Sequence, residues 1–451
     1  MLFFNEKQND ALKFSVCDIG ISAFIFFGIV TTIFSPYPRD SLTGYGGRYN
    51  GLLFYALCAA VYFIVSRGFD FEKYILYVII AVSSAMFLMA ALQKLGFDVL
   101  GFHAGLSAGS KKAFLSTIGN INFFSSFVVL LMPVSVCLYI LSKSLIEKII
   151  FCFAAALAFF GLISSGSDSG IIGAAVLFTA AFFFFSKNIQ SLKNFTEIVI
   201  LFFLSHKIMY ALSAIFKNSQ GLDGISGRLA AADATYIIIF ALFILRIIPE
   251  FINTEKSLKQ IQITVAILLG LSAAGLISCV IYYSVYDIKT DLGFLTQFLR
   301  FNEKWGSGRG YAWIHAFRAY GKYNIFQKFF GYGYDMFRAV LRDTLNITST
   351  NSPHSFDSVH NEPLQHLVSA GFLGIAAYLT FVTGGIVRSI KNATKNPLTI
   401  IFALSILCYT AQGFVNIGRT MVTPLFFLMF AIAEGLNRNS NKKFQKLYLT
   451  K

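Results

Sequence analysis

Long apolar runs separated by short polar breaks set the architecture of this chain. The runs occupy residues 14–34, 51–66, 74–92, 122–141, 148–165, 170–186, 196–216, 234–249, 261–283, 363–387, 398–416 and 420–436. A helix needs about 20 apolar residues to cross a bilayer, so the pattern predicts about twelve transmembrane helices. The runs are continuous rather than alternating, which favours helices over a β-barrel. One break is long, residues 284–362, between the ninth and tenth runs. Loops of that length are usually functional. Within it, Tyr311, Ile314 and Phe317 of YAWIHAFRAY recur at helical spacing, with Arg318 beside them. Trp313 and Tyr320 suit the headgroup level, so a short helix lying on the membrane surface is expected. NITSTNSPHSFDS reads as a polar loop leading into VHNEP. The expected organisation is one polytopic membrane domain over 1–451, with 284–362 as an extracytoplasmic catalytic loop within it.

Composition strengthens this picture. Of 451 residues, 56% are hydrophobic and 13% charged, and the mean hydropathy is +0.66. Soluble domains carry roughly 25% charged residues. The 51 Phe fit lipid-facing helices. Cys17, Cys58, Cys137, Cys152, Cys279 and Cys408 all lie in apolar runs without a metal-type spacing, and read as small core residues. No cleavable signal peptide is expected, because the first run is long enough to span and no small-residue cleavage site follows it.

The net charge of +15, from 37 Lys and Arg against 22 Asp and Glu, would point to nucleic acid in a soluble protein. Here it sets orientation. With both termini cytoplasmic, nineteen Lys and Arg fall on cytoplasmic ends and short loops and eight on short outer loops. Nine more lie in the long loop, and Lys207 sits inside a run. The long loop is then expected outside, and the basic tail NRNSNKKFQKLYLTK faces anionic lipid, with no nucleic-acid partner.

Several segments read together: GYGGRYNGLLFY (44–55), GNINFFSSFVVLLMP (119–133), GSGRGYAWIHAF, GYGYDMF, VHNEPLQHLVSAGFLG and QGFVNIGRTMVTPLFFLMF. In this order the set resembles the O-antigen ligase and O-antigen polymerase superfamily of bacterial membrane glycosyltransferases. The resemblance covers most of the chain, including the place of the long loop. It implies an all-α, glycosyltransferase-C-like membrane protein of the bacterial cytoplasmic membrane. Such proteins move a glycan from undecaprenyl pyrophosphate to an acceptor hydroxyl on the outer face. In ligases the acceptor is lipid A core or a protein, and in polymerases another lipid-linked repeat. By resemblance, Arg228 and Arg309 match the pyrophosphate-binding arginines, Arg48 a recurring GR element, and His360 the histidine of the HN motif. Arg48, Asn361 and Glu362 are the expected substrate-binding residues. Two positions depart from the family pattern: Asp168 stands in SSGSDSG where an Arg is common, and Ser369 where a Glu usually precedes the Gly.

The chemistry explains these residue types. Arg is always charged and bidentate toward phosphate. Placed beside a departing pyrophosphate, it stabilises the transition state more than the ground state. An acceptor hydroxyl gains from a nearby base, for which His is suited. Each residue also has a plainer reading. An arginine at a membrane edge can simply snorkel to lipid phosphate, and His360 can be an interfacial hydrogen-bonding residue. Asp357, His360 and Glu362 are close enough in sequence to raise a metal site. They straddle a loop–helix junction and no DxD is present, so metal-independent chemistry without a cofactor is expected. His315 reads as interfacial, His354 as a loop residue and His366 as a packed or hydrogen-bonded span residue. His206 and Lys207, inside LFFLSHKIMYAL, are either functional or reach a polar cavity. Competing functions are a transporter or flippase of lipid-linked sugars, whose polar residues belong near midplane, and a peptidoglycan-type glycan polymerase of the shape, elongation, division and sporulation group. Ligase and polymerase are not separable from these residues, nor are the glycan and acceptor identified.

Overall fold

The structure, a computed structural model, describes residues 14–68, 71–247, 255–286, 290–348, 350 and 356–439. His354 and the basic tail from residue 440 onward lie outside them. Helices make up the fold. The first six are α1 (Val16–Phe34), α2 (Pro38–Thr43), α3 (Leu52–Gly68), α4 (Tyr74–Lys94), α5 (Ala108–Ala113) and α6 (Ile121–Leu141). Next come α7 (Leu145–Ser165), α8 (Asp168–Phe185), α9 (Ile189–Ile215), α10 (Gly224–Ala231), α11 (Ala234–Ile247) and α12 (Glu255–Val285). The rest are α13 (Thr296–Leu299), α14 (Trp305–Lys322), α15 (Ile325–Phe330), α16 (Phe337–Leu345), α17 (Glu362–Asn392), α18 (Thr399–Gly413) and α19 (Thr423–Asn439). No strand occurs among the described residues.

Every predicted apolar run falls on one of these helices. Among the described residues, eight helices are long and apolar enough to cross a membrane, or nine if α10 and α11, bent by 77° at their break, count as one span. α3 and α18 are apolar but shorter. The chain is therefore an all-helical protein of multi-pass membrane type. Local signals start the helices where the runs begin. Ser15 and Asp18 form a capping box on α1, with Ser15 N donating to Asp18 Oδ2 at 2.7 Å. Asn120 caps α6 through the amides of Asn122 and Phe123.

α6 is buried along nearly its whole length and packs against α7 and α18. α17 packs along α1, and α3 along α19. The apolar stretch of α12 is exposed throughout, as suits a helix solvated by lipid. Successive long helices alternate in direction, so the connections gather at two ends. At one end, Lys94 meets Asp223 (2.8 Å), Ile225 N meets Asp168 (2.8 Å), Asn50 meets the Gly418 carbonyl (3.2 Å) and Tyr37 meets Asp343 (2.9 Å). At the other, Asp18 meets Arg67 (3.3 Å) and Arg438, and Lys73 meets Glu147 (2.7 Å). All the candidate residues fall at the first end.

The segment between α12 and α17 has a small core of its own. Ala312, Ala316 and Ala319 of α14 pack with Tyr323, Tyr332, Phe337, Val340 and Val359. The expected helix at YAWIHAFRAY is present, but its buried face is Tyr311, Ala312, His315, Ala316 and Ala319. Phe317 is exposed, because small side chains let α14 sit close on its neighbours. His315, expected at an interface, is buried: Nδ1 pairs with the Tyr311 carbonyl (2.9 Å) and the ring stacks on Tyr311.

Candidate functional site

A break in α17 builds the floor of the site. Gly371 lies at φ 68°, off the helix, and a Cβ there would collide with the Phe329 backbone. The break leaves carbonyls without intrahelical partners. Tyr332 N bonds the Val368 carbonyl (3.2 Å), Gly333 N the Ser369 carbonyl (3.0 Å), and Tyr323 Oη the Val368 carbonyl (3.1 Å). These bonds dock GYGYDMF against α17 and bury Asp335 on left-handed backbone (φ 58°). The Asp335 carboxylate accepts from Tyr45 N (3.1 Å) and faces the guanidinium groups of Arg48 and Arg419. Burial pushes it up to about 6, against the opposing pull of those arginines.

Arg48, on the α2–α3 connection, forms an ion pair with Asp357 and donates to the Asp357 carbonyl (2.8 Å). Arg419, on the α18–α19 connection, reaches the same carboxylate at 3.8 Å and lies over the Phe123 ring. Burial and the neighbouring Arg419 lower Arg48 to about 10. Burial likewise lowers Arg419.

His360 sits beside this cluster. Its backbone is left-handed (φ 55°), which few non-glycine residues adopt, so the surrounding structure holds the ring in place. Phe356 meets the ring edge-on at 5.7 Å. Burial, then the fields of Arg309, Arg419 and Arg48, lower the imidazole to about 4, so it is neutral at pH 7. The predicted neighbours Asn361 and Glu362 have contacts of their own. Asn361 is the N-cap of α17, its side chain accepting from Leu364 N (2.9 Å). Glu362 is buried beneath, against Gly413 and Gly418, with His366 at 3.9 Å. Both line a cavity of about 20 Å³, room for one water, with Tyr334 and Asp335. His366 is a packed span residue, enclosed by Phe24, Tyr55 and Tyr378.

Arg309 follows three consecutive left-handed residues, Gly306, Ser307 and Gly308 (φ 58°, 62° and 92°). The turn brings the Gly306 carbonyl to Arg309 Nη1 (3.1 Å) and leaves the buried Nε without a partner. Burial lowers Arg309, while Asp168 opposes that shift. Asp168 also lines an open cleft of about 730 Å³ with Arg228, Phe294, Arg300, Lys304 and Trp305. Arg228 lies flat over Phe294, 3.7 Å from its centroid. Arg309 is near enough to act electrostatically on His360 and to feel Asp168 of the cleft. His360, Arg309 and Arg48 come together; Arg228 faces the neighbouring cleft.

No protein-family model matches the chain, and no curated protein does. The site therefore stands on its own geometry.

Three contacts fix α10, and with it Arg228. Lys94 holds Asp223 at the helix start, Asp168 accepts from Ile225 N, and Lys207 caps the far end. Lys207 Nζ donates to the carbonyls of Ala230 (3.0 Å) and Ala232 (2.7 Å) and lies over Tyr236. The intramembrane lysine is spent on the 77° break between α10 and α11. His206 bonds the Phe202 carbonyl (2.9 Å). Sequence reasoning missed Arg419, Asp335, Arg300 and Lys304 as site residues. The first two lie inside quoted motifs, QGFVNIGRTM and GYGYDMF, and an arginine flanked by glycine was the available signal. Among the described residues, no three His, Cys, Asp or Glu are grouped to hold a metal ion.

Proposed function

We propose that the protein is a membrane glycosyltransferase of the O-antigen ligase or polymerase type. In this reading twelve helices span the bacterial cytoplasmic membrane in a glycosyltransferase-C-like arrangement. Both termini are cytoplasmic, and the end carrying His360 faces outward. The observation that carries the reading is a neutral, conformationally constrained histidine facing three arginines, beside an open cationic cleft. That set suits transfer from a pyrophosphate-linked donor.

The donor, an undecaprenyl-pyrophosphate glycan, places its pyrophosphate between Arg309 and Arg228. The acceptor oxygen attacks the anomeric carbon, and the bond from that carbon to the phosphate oxygen breaks. The acceptor proton passes to His360, and the electron pair leaves on the pyrophosphate, where the arginines stabilise it. A histidine lowered to about 4 is a weak base in the free protein. Bound pyrophosphate cancels part of the arginine field, so the imidazole regains basicity as the donor arrives. Asn361 and Glu362 support the site by starting α17 and lining the cavity beneath it.

The test is transfer by the reconstituted protein, with undecaprenyl-pyrophosphate glycan and candidate acceptors. His360→Ala should lose about 100-fold or more in rate, the usual contribution of a general base. Arg309→Ala should lose a similar factor, and EDTA should change nothing. Full transfer by both variants would falsify the reading. The transporter alternative is weaker, because Lys207, its main pointer, caps a helix break.

A further inference from the structure

Arg48 and Arg419 converge on one carboxylate, Arg48 in an ion pair with Asp357 and Arg419 at 3.8 Å from it. Like charges held together need an anion between them. Two carboxylates serve, and they differ. Asp335 is buried and fixed by a backbone amide. Asp357 meets both arginines with its side chain 35% exposed, and it also accepts a 3.3 Å bond from Ser358. One carboxylate is therefore built in, and the other is replaceable by turning into solvent. The buried Nε of Arg419 has no partner, so the guanidinium has donor capacity left.

We propose that Arg48 and Arg419 form a second anion site, occupied here by the Asp357 carboxylate, that receives an oxyanion of the acceptor. The ligand class is an acidic acceptor glycan, one whose reacting unit carries a phosphate or a carboxylate. Both groups suit bidentate pairing with guanidinium. The site gathers around Asp357, three residues before His360, whereas Arg228 lines the cleft with Asp168. Two anions, one from each substrate, would then flank the reacting atoms. Assignment of this site to the acceptor rests on the transferase reading; the anion site itself does not.

The test is equilibrium binding of inorganic phosphate and of glucuronate to the full-length protein in phosphatidylcholine nanodiscs, with glucose as the neutral control. Asp357→Asn should tighten both anions about tenfold, and Arg419→Gln should weaken them about tenfold, each a change of about 1.4 kcal/mol. Arg419→Lys should recover part of the loss, which separates lost charge from misfolding. Lys73→Gln, which loses a pairing with Glu147 at the opposite end, should leave this binding unchanged. Unaltered or weaker binding by Asp357→Asn overturns the proposal, and so does equal loss in Lys73→Gln. If phosphatidylglycerol in the discs abolishes the gain, a lipid headgroup fills the site and the acceptor assignment fails. Full transfer by His360→Ala and Arg309→Ala alongside the expected binding would sink the transferase reading and leave the anion site standing.

Discussion

At the scale of single residues, burial and charge set the proton affinities of the site in opposite directions. His360 is lowered to about 4, and Asp335 is raised to about 6. The stability that His360 contributes is complete above its ordinary value of 6.5 and is lost as pH falls through 4. The contribution of Asp335 is complete below 3.8 and is lost as pH rises through 6. The two oppose each other between pH 4 and 6. His360→Gln should therefore melt at lower temperature as pH rises across that window, and Asp335→Asn at higher temperature. Scanning calorimetry in detergent at pH 4, 5 and 6 checks both signs; parallel curves for the two variants would refute the assignment. Kinetics should report the same environment. The acid limb of kcat/KM for the donor reflects the free protein and should lie near 4. The limb of kcat, with donor bound, should move up toward the ordinary histidine range. Coincident limbs would show that the donor does not relieve the arginine field.

At the scale of elements, breaks in helices place the chemistry. The break in α17 at Gly371 receives GYGYDMF, and the break between α10 and α11 is held by Lys207. Lys207→Met keeps the apolar stem but leaves two carbonyls without their donor, at about 1–3 kcal/mol each. Its melting temperature should fall, and donor KM should rise more than kcat falls, because Arg228 rides on α10. A fall in melting temperature with unchanged KM would separate Lys207 from the site. The sequence marked this lysine as anomalous but could not say why, since its partners lie 23 and 25 residues away on another helix. The α14 face was only partly legible for a related reason. Periodicity finds which residues share a face, but neighbours decide which face is covered, and α14 buries its alanines.

At the scale of the whole molecule, the two ends do different work. The end opposite His360 holds Asp18, fully buried, against Arg67 and Arg438, with Tyr62 donating at 3.0 Å. This cluster ties together α1, α3 and α19, whose opposite termini adjoin the connections bearing Arg48 and Arg419. Breaking a buried ion pair costs about 3–5 kcal/mol. Asp18→Asn should lower the melting temperature by several degrees while inorganic pyrophosphate binding at low temperature stays within about twofold. A large loss of binding would show that the two ends are coupled.

The sequence by itself determined the all-helical, membrane-type architecture, because a chain this apolar must satisfy its backbone internally in lipid. It also marked Arg48 and Arg309, charges beside glycines in polar breaks, and, through the resemblance, His360 of the HN motif. Only the tertiary structure decided that these three meet and that Arg228 faces a separate cleft. It alone added Arg419 and Asp335 to the cluster. Asn361 turned out to be a helix cap and Glu362 a buried group for the same reason. Those outcomes depend on which connections the alternating helices bring to one end, and contacts across some 300 residues, such as Arg48 with Asp357, leave no local trace.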